Sequence, residues 1–218
     1  MRAYIEGVAA MREIDPGIRI LTTEPLVHIV PPLNPTRQQR IDAAKADDNQ
    51  FQSVDMLAGR LMPELGGSPD FVDIVGLNYY YNNQWEQGPR DLLGWADTIP
   101  DPRWVPLRNL LTKAYQRYKR PIALTETSHP GIDRPHWIEM IGHECAAVLA
   151  AGIPLWGACI YPIIDRPDWD HPEHWHRSGL WDADLTTNPP GRVLVPAYAE
   201  ALWRAQEVVA SQRQQVHS

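Results

Sequence analysis

Cysteine is scarce in this chain. Cys145 and Cys159 are the only two, and neither has metal-ligand spacing around it. That usage fits a reducing compartment and argues against a disulfide framework. Each is expected to be a small buried hydrophobe. No apolar run reaches the roughly 18 residues of a membrane span. The opening stretch MRAYIEGVAAMREID mixes charges with apolar residues and lacks a signal-peptide h-region. Positive charge is in the minority, 20 Lys and Arg against 27 Asp and Glu, for a net charge of −7. This excess of acid argues against a nucleic-acid partner. There is no internal repeat and no low-complexity tract. Together these absences lead us to expect a cytoplasmic protein with neither a membrane nor a nucleic-acid partner.

What is present is ordinary in bulk and unusual in detail. The 218 residues suffice for one substantial domain, and 44% hydrophobic with 22% charged is typical of a globular protein. Proline is high at 21, and nine Trp stand against two Phe. Trp has a flat apolar face and a polar edge, which suits sugar rings as well as cores. Residues 2–14 read as a helix with Ile5, Val8, Ala9 and Met11 near one face, ended by Asp15-Pro16-Gly17. Residues 18–23 read as a β-branched strand running into Glu24-Pro25. Asn34 and Pro35 read as N-cap and first residue of a helical stretch reaching about Leu65. A continuous apolar strand covers 71–79, then a Trp-bearing loop 84–104. The next helix is marked by Leu107, Leu110, Leu111, Ala114 and Tyr118. A strand follows from Ile122, with Leu124 and Glu126 on its face by period two. A helix that starts at Pro135, with Gly152 past its end, and a buried strand 154–160 come next. A long loop, 162–192, precedes a closing helix 196–212, and the polar tail from Glu207 is expected to fray. Strand and helix thus alternate four times, which predicts an α/β fold with parallel strands and helices outside them. A closed eightfold barrel needs eight strands, and four are counted.

The ends of those four strands gather chemistry-bearing residues. The first carries Glu24 and, at matching parity, His28. The second carries Asn78 and Tyr80, two apart and so on one face. The third carries Glu126. The fourth ends at Tyr161 and runs into Asp165, Asp168 and Trp169. Carboxylates, an amide and aromatic rings at one rim suit carbohydrate. Carboxylates do acid/base or nucleophilic work, polar oxygens grip hydroxyls, and rings stack on the sugar. The cluster His171, His174 and His176 fits no standard metal spacing, so neither metal nor cofactor is expected.

These residues carry a resemblance. The chain resembles the C-terminal half of clan A glycoside hydrolases, closest to the family 1 β-glucosidase-like (β/α)8 enzymes. Asp73 to Tyr80, DIVGLNYY, is similar to the sixth strand of that family. Leu124-Thr125-Glu126 is similar to its seventh, where a Thr-Glu pair supplies the nucleophile. The family usually continues with Asn-Gly, and this chain has Thr127-Ser128. Tyr161, Asp165, Asp168 and Trp169 hold the spacing of the eighth strand, with Tyr for the usual Trp and Asp for the usual Glu. Ser178 to Asp182 resembles the closing segment of the same fold.

The resemblance implies a single partial domain over 1–218, holding strands five to eight of a TIM barrel. It implies a retaining β-glycosidase mechanism on a β-glycoside, with Glu126 as nucleophile. The same resemblance makes Asn78, Tyr80, Tyr161, Asp165, Asp168, Trp169 and His28 substrate contacts. The acid/base Glu of the family lies in an Asn-Glu pair at the end of strand four, upstream of Met1. Glu24 is the alternative proton donor, though its place on strand five favours an outer contact. The alternative for the whole chain is an inactive carbohydrate-binding half-barrel or a truncated fragment. Open barrel edges make self-association a further expectation.

Overall fold

The computed structural model describes residues 1–88, 91–96 and 101–217, with side chains to Gln215. Residues 89–90 and 97–100 of the expected loop, and Ser218 of the expected tail, lie outside the described residues. The chain forms two compact units, Met1–Leu124 and Thr125–Ser218.

In the first unit, α1 (Arg2–Ile14) buries Ile5 and Val8. Arg12 Nη2 donates to Asp73 Oδ2 at 2.7 Å, and the Ile20 N–H donates to the same oxygen at 2.7 Å. One carboxylate thereby fastens α1 to the entries of two strands. The expected strand 18–23 reduces to a parallel bridge between Leu21 and Ile74, followed by β1 (Glu24–Pro25). Between them the buried Thr22 meets its neighbour through its hydroxyl, which accepts from the Gly76 N–H at 3.1 Å. β1 pairs in parallel with the strand Val75–Asn78, Glu24 opposite Leu77. The segment 71–79 is a shorter strand than expected because Ser68 caps a 3-10 turn over Pro69–Phe71.

The helix expected from Asn34 begins later. Thr36 accepts from the Gln39 N–H while the Gln39 side chain accepts from the Thr36 N–H, so α2 spans Arg37–Asp48. That capping box satisfies two otherwise orphaned donors, and Asn34 instead adopts a φ of +56°. The helical stretch also stops short of Leu65. After a 3-10 turn at Asn49–Phe51, α3 (Gln52–Leu57) ends and the chain reverses. At that reversal Gly67 comes so close that a Cβ would meet the Met56 carbonyl oxygen at 2.1 Å, an approach open only to glycine.

Two short strands were not legible: β2 (His28–Val30) and β4 (Gln84–Glu86) pair in parallel, the latter inside the expected 84–104 loop. Three residues are too few to display alternation. The strand Val75–Asn78 between them in sequence is β3. α4 (Leu107–Tyr118) buries Leu107, Leu110, Leu111, Ala114 and Tyr118, the face that the sequence predicts. It is tied to α3 by Asp55, which pairs with Arg117 and accepts from the Tyr118 hydroxyl at 3.0 Å.

β5 (Ile122–Thr127) starts in the first unit and ends in the second. The sheet order is β1-β3-β5-β6, where β6 is Leu155–Ile160. In the second unit α5 (Arg134–Ala150) and α6 (Pro196–His217) pack against each other. They lie in close contact at Gly142, where a Cβ would meet the Ala205 Cβ at 2.7 Å. Three expectations fail in this unit. First, β6 is not buried throughout: as the last strand of its sheet it exposes Trp156, Ala158 and Cys159. Cys159 is therefore exposed, while Cys145 on α5 is buried as expected. Second, the 162–192 loop contains β7 (Trp181–Asp184), which forms an antiparallel hairpin with β8 (Gly191–Leu194). Third, α6 continues past Glu207, held by Arg213 Nη2 donating to the carbonyls of Leu155 at 3.1 Å and Trp156 at 2.7 Å. Among the described residues no helix is long and apolar enough to cross a membrane.

Candidate functional site

At the end of β5, where the second unit begins, burial ceases to alternate. Ile122, Leu124 and Thr127 are buried, while Thr125 and Glu126 are half-buried in succession. Thr127 turns its hydroxyl toward α5, accepting from Trp137 Nε1 at 2.9 Å. Adjacent strand residues point to opposite faces, so Glu126 faces away from that helix. The Thr127 carbonyl accepts from the Tyr161 N–H at 3.1 Å, which brings the end of β6 beside the residue following Glu126. After Glu126 the chain stays buried through Thr127, Ser128 and His129.

The segment after Tyr161 is fastened at both ends. The Asp165 N–H donates to the Trp181 carbonyl at 2.7 Å, and the buried Asp165 carboxylate accepts from the Ser178 N–H at 3.0 Å. A Cβ on Gly179 would meet the Asp165 nitrogen at 2.4 Å, so the two ends touch backbone to backbone. Asp168 is also committed within the loop. Its Oδ1 accepts from the N–H groups of Asp170 at 2.8 Å and His171 at 3.0 Å, and its Oδ2 lies 2.9 Å from His176 Nε2. The two backbone donors, with His176 in support, hold its carboxyl below the usual carboxylate range. Trp169 stands 80% exposed.

A residue that the sequence reading passed over lies between the rings. The Arg166 guanidinium is 5.7 Å from the centre of Tyr161 and 5.1 Å from that of Trp169. No spacing rule signals this, because a cation between two rings depends on how the loop folds back.

In the first unit, Asn78 and Tyr80 are both half-buried around a buried Tyr79, which preserves the expected alternation. The Asn78 carbonyl accepts from the Leu26 N–H at 2.8 Å. The Tyr80 N–H donates to Asn83 Oδ1 at 3.1 Å, and Asn83 Nδ2 donates to the Leu26 carbonyl at 2.9 Å. Asn83 thus joins the ends of β1 and β3. Glu24 is half-buried, and desolvation pushes its carboxyl up against the opposing hydrogen bond with Ser53. His28 does not share the face of Glu24, since it belongs to β2 and pairs with β4 in a separate sheet. Its Nε2 lies 3.2 Å from the Arg103 carbonyl and its Nδ1 3.8 Å from Asp47. Desolvation pulls the Asp47 carboxyl up, but hydrogen bonds from His28, Lys113 and the Ile29 N–H outweigh it and leave it lowered. Among the described residues no group of three or more His, Cys, Asp or Glu is arranged to hold a metal ion.

Solved structures share the fold of this chain. An aphid myrosinase superposes with a TM-score of 0.69 at 14% identity, over 94% of this chain and 56% of its own. A family 1 β-glucosidase from Thermotoga maritima gives 0.65 at 16% identity, over 94% of this chain and 54% of its own. A hyperthermophilic β-glucosidase gives 0.65 at 18% identity, over 92% and 46%. The fold is one half of a (β/α)8 barrel. The half-barrel spans about half the length of the structures it matches. No protein-family model and no curated protein sequence matches the chain.

Proposed function

We propose that this half-barrel is the nucleophile-bearing part of a retaining β-glycosidase, with Glu126 as the nucleophile and a β-glycoside as substrate. The reading rests on one observation above the rest. A fold shared with family 1 β-glucosidases and a myrosinase puts Glu126 at the C-terminal end of a sheet strand, with Thr127 hydrogen-bonded to Tyr161 at the end of the next. In (β/α)8 enzymes that end of the strands carries the chemistry. A Glu126 oxygen would attack the anomeric carbon as the bond to the leaving oxygen breaks, giving a glycosyl ester that water then hydrolyses. Asn78, Tyr80, Tyr161 and Trp169 would contact sugar. Asp165 and Asp168 would serve chiefly by fixing the loop that carries Trp169, given the backbone N–H groups they already hold.

The proton donor is then a residue other than Glu24. β1 pairs directly with β3, whereas in the family one strand separates the acid/base strand from the Asn-Tyr strand. Glu24 and His28 are read as outer or structural groups, with the acid/base supplied from outside this chain. Without it the chain alone should turn over unactivated glycosides poorly, since a sugar leaving group needs a proton.

A 2-deoxy-2-fluoro-β-glucoside with a dinitrophenolate leaving group tests the reading, because that group departs without protonation. The expected result is one glycosyl adduct per chain, mapped to Glu126 by peptide mass spectrometry and absent in Glu126→Gln. An adduct on another carboxylate, or none, overturns the assignment.

A further inference from the structure

We propose that Arg166 is a substrate-contacting, specificity-determining residue of this site, and that it selects glycosides whose sugar carries a negative charge, a carboxylate or a phosphate. The inference rests on the glycosidase reading and adds to it the class of sugar.

The neighbouring carboxylates have little left to offer a sugar. The resemblance implies that Asp165 and Asp168 grip sugar hydroxyls, yet both carboxylates accept hydrogen bonds from backbone N–H groups of their own loop. Arg166 is in the opposite position. Its Nη1 donates to the Pro167 carbonyl at 2.9 Å. Its Nε is buried without an acceptor. Among the described residues no ion pair or other hydrogen bond involves its side chain, which leaves Nη2 uncommitted. The guanidinium is held by ring faces rather than by a counter-charge, 5.7 Å from Tyr161 and 5.1 Å from Trp169. Stacking of this kind fixes a guanidinium while leaving its edge able to donate.

Two consequences follow for a ligand. One face of Trp169 is covered by Arg166, so a sugar stacks on the other face of this largely exposed ring. The polar group beside that ring is then a planar donor with no acceptor capacity. Family-like recognition of hydroxyls by a carboxylate uses acceptors, and a donor fork suits carboxylate or phosphate oxygens instead. The Tyr161 N–H donates to the Thr127 carbonyl, so the backbone from which this stack springs lies beside the residue that follows Glu126.

The test is binding to the full chain at low salt, followed by tryptophan fluorescence and checked by calorimetry. The probes are methyl β-glucoside, methyl β-glucuronide and methyl β-glucoside 6-phosphate. Wild type is expected to prefer at least one anionic probe roughly tenfold, the yield of one added charge-assisted hydrogen bond. Which of the two wins separates carboxylate from phosphate. Arg166→Met removes the charge and is expected to abolish the preference for anionic over neutral probes. Arg166→Lys should retain part of it, and added salt should erode it in wild type only. Neutral and anionic probes binding equally, or an anionic preference that survives in Arg166→Met, overturns this inference and leaves the glycosidase reading standing. No binding of any probe, together with no adduct on Glu126, overturns both.

Discussion

Glu24 and Asp168 carry the same functional group and are driven in opposite directions by their surroundings. Glu24 is pushed up by desolvation at the end of β1, whereas Asp168 is pulled down by two backbone N–H donors. A carboxyl raised above its unfolded value of about 4.3 costs stability once the pH exceeds that value. The cost grows as pH rises toward and through the folded value, and it vanishes where both states are protonated. Glu24→Gln is therefore expected to raise the denaturant midpoint at pH 7 and to leave it unchanged at pH 3. A midpoint lowered at pH 7 would show that the ionised form is stabilised by its surroundings instead. The identities of the strand-end residues were legible from spacing. What those side chains already bind was not: Asp168 is spent on amides two and three residues ahead, and His28 on Arg103 and Asp47. Such commitments depend on how a loop closes, which residue type does not encode.

Among the elements, α5 and α6 show how a missing side chain can set a packing distance. In a solvent-facing helix, replacing Gly142 with Ala would gain about 1 kcal/mol. Here the new methyl would sit 2.7 Å from the Ala205 Cβ and 2.8 Å from its Cα. Backbone cannot give way as a flexible side chain does, so Gly142→Ala is expected to lose about 1–3 kcal/mol as an overpacked core. The denaturant midpoint measures it, and a gain in stability would mean that the helices part freely. The α4 face was readable because five buried residues repeat at helical spacing. α2 starts two residues later than Asn34-Pro35 predict, because the competing Thr36 capping box satisfies more donors. The pairs β2–β4 and β7–β8 escaped because strands of three or four residues, polar in part, leave no period to find.

For the whole molecule, four alternations of strand and helix carried the fold class, and three strand-end motifs in order carried its relation to glycosidase barrels. The sheet ends at β6, which exposes Trp156, Ala158 and Cys159. An open strand edge with exposed apolar residues invites pairing with another chain. Sedimentation of the purified chain is expected to show mass rising with concentration, and Trp156→Lys to suppress the rise at unchanged circular dichroism. A strict monomer at every concentration would exclude such pairing. The closure at Asp165 carries its own consequence for engineering. Its carboxylate and N–H, the Ser178 and Trp181 partners and the touching backbone at Gly179 form a clasp independent of what lies between. Residues 166–177 are therefore a replaceable cassette: a graft of different length or sequence between the two clasp points would alter the exposed surface around Trp169 while β6 and β7 keep their places.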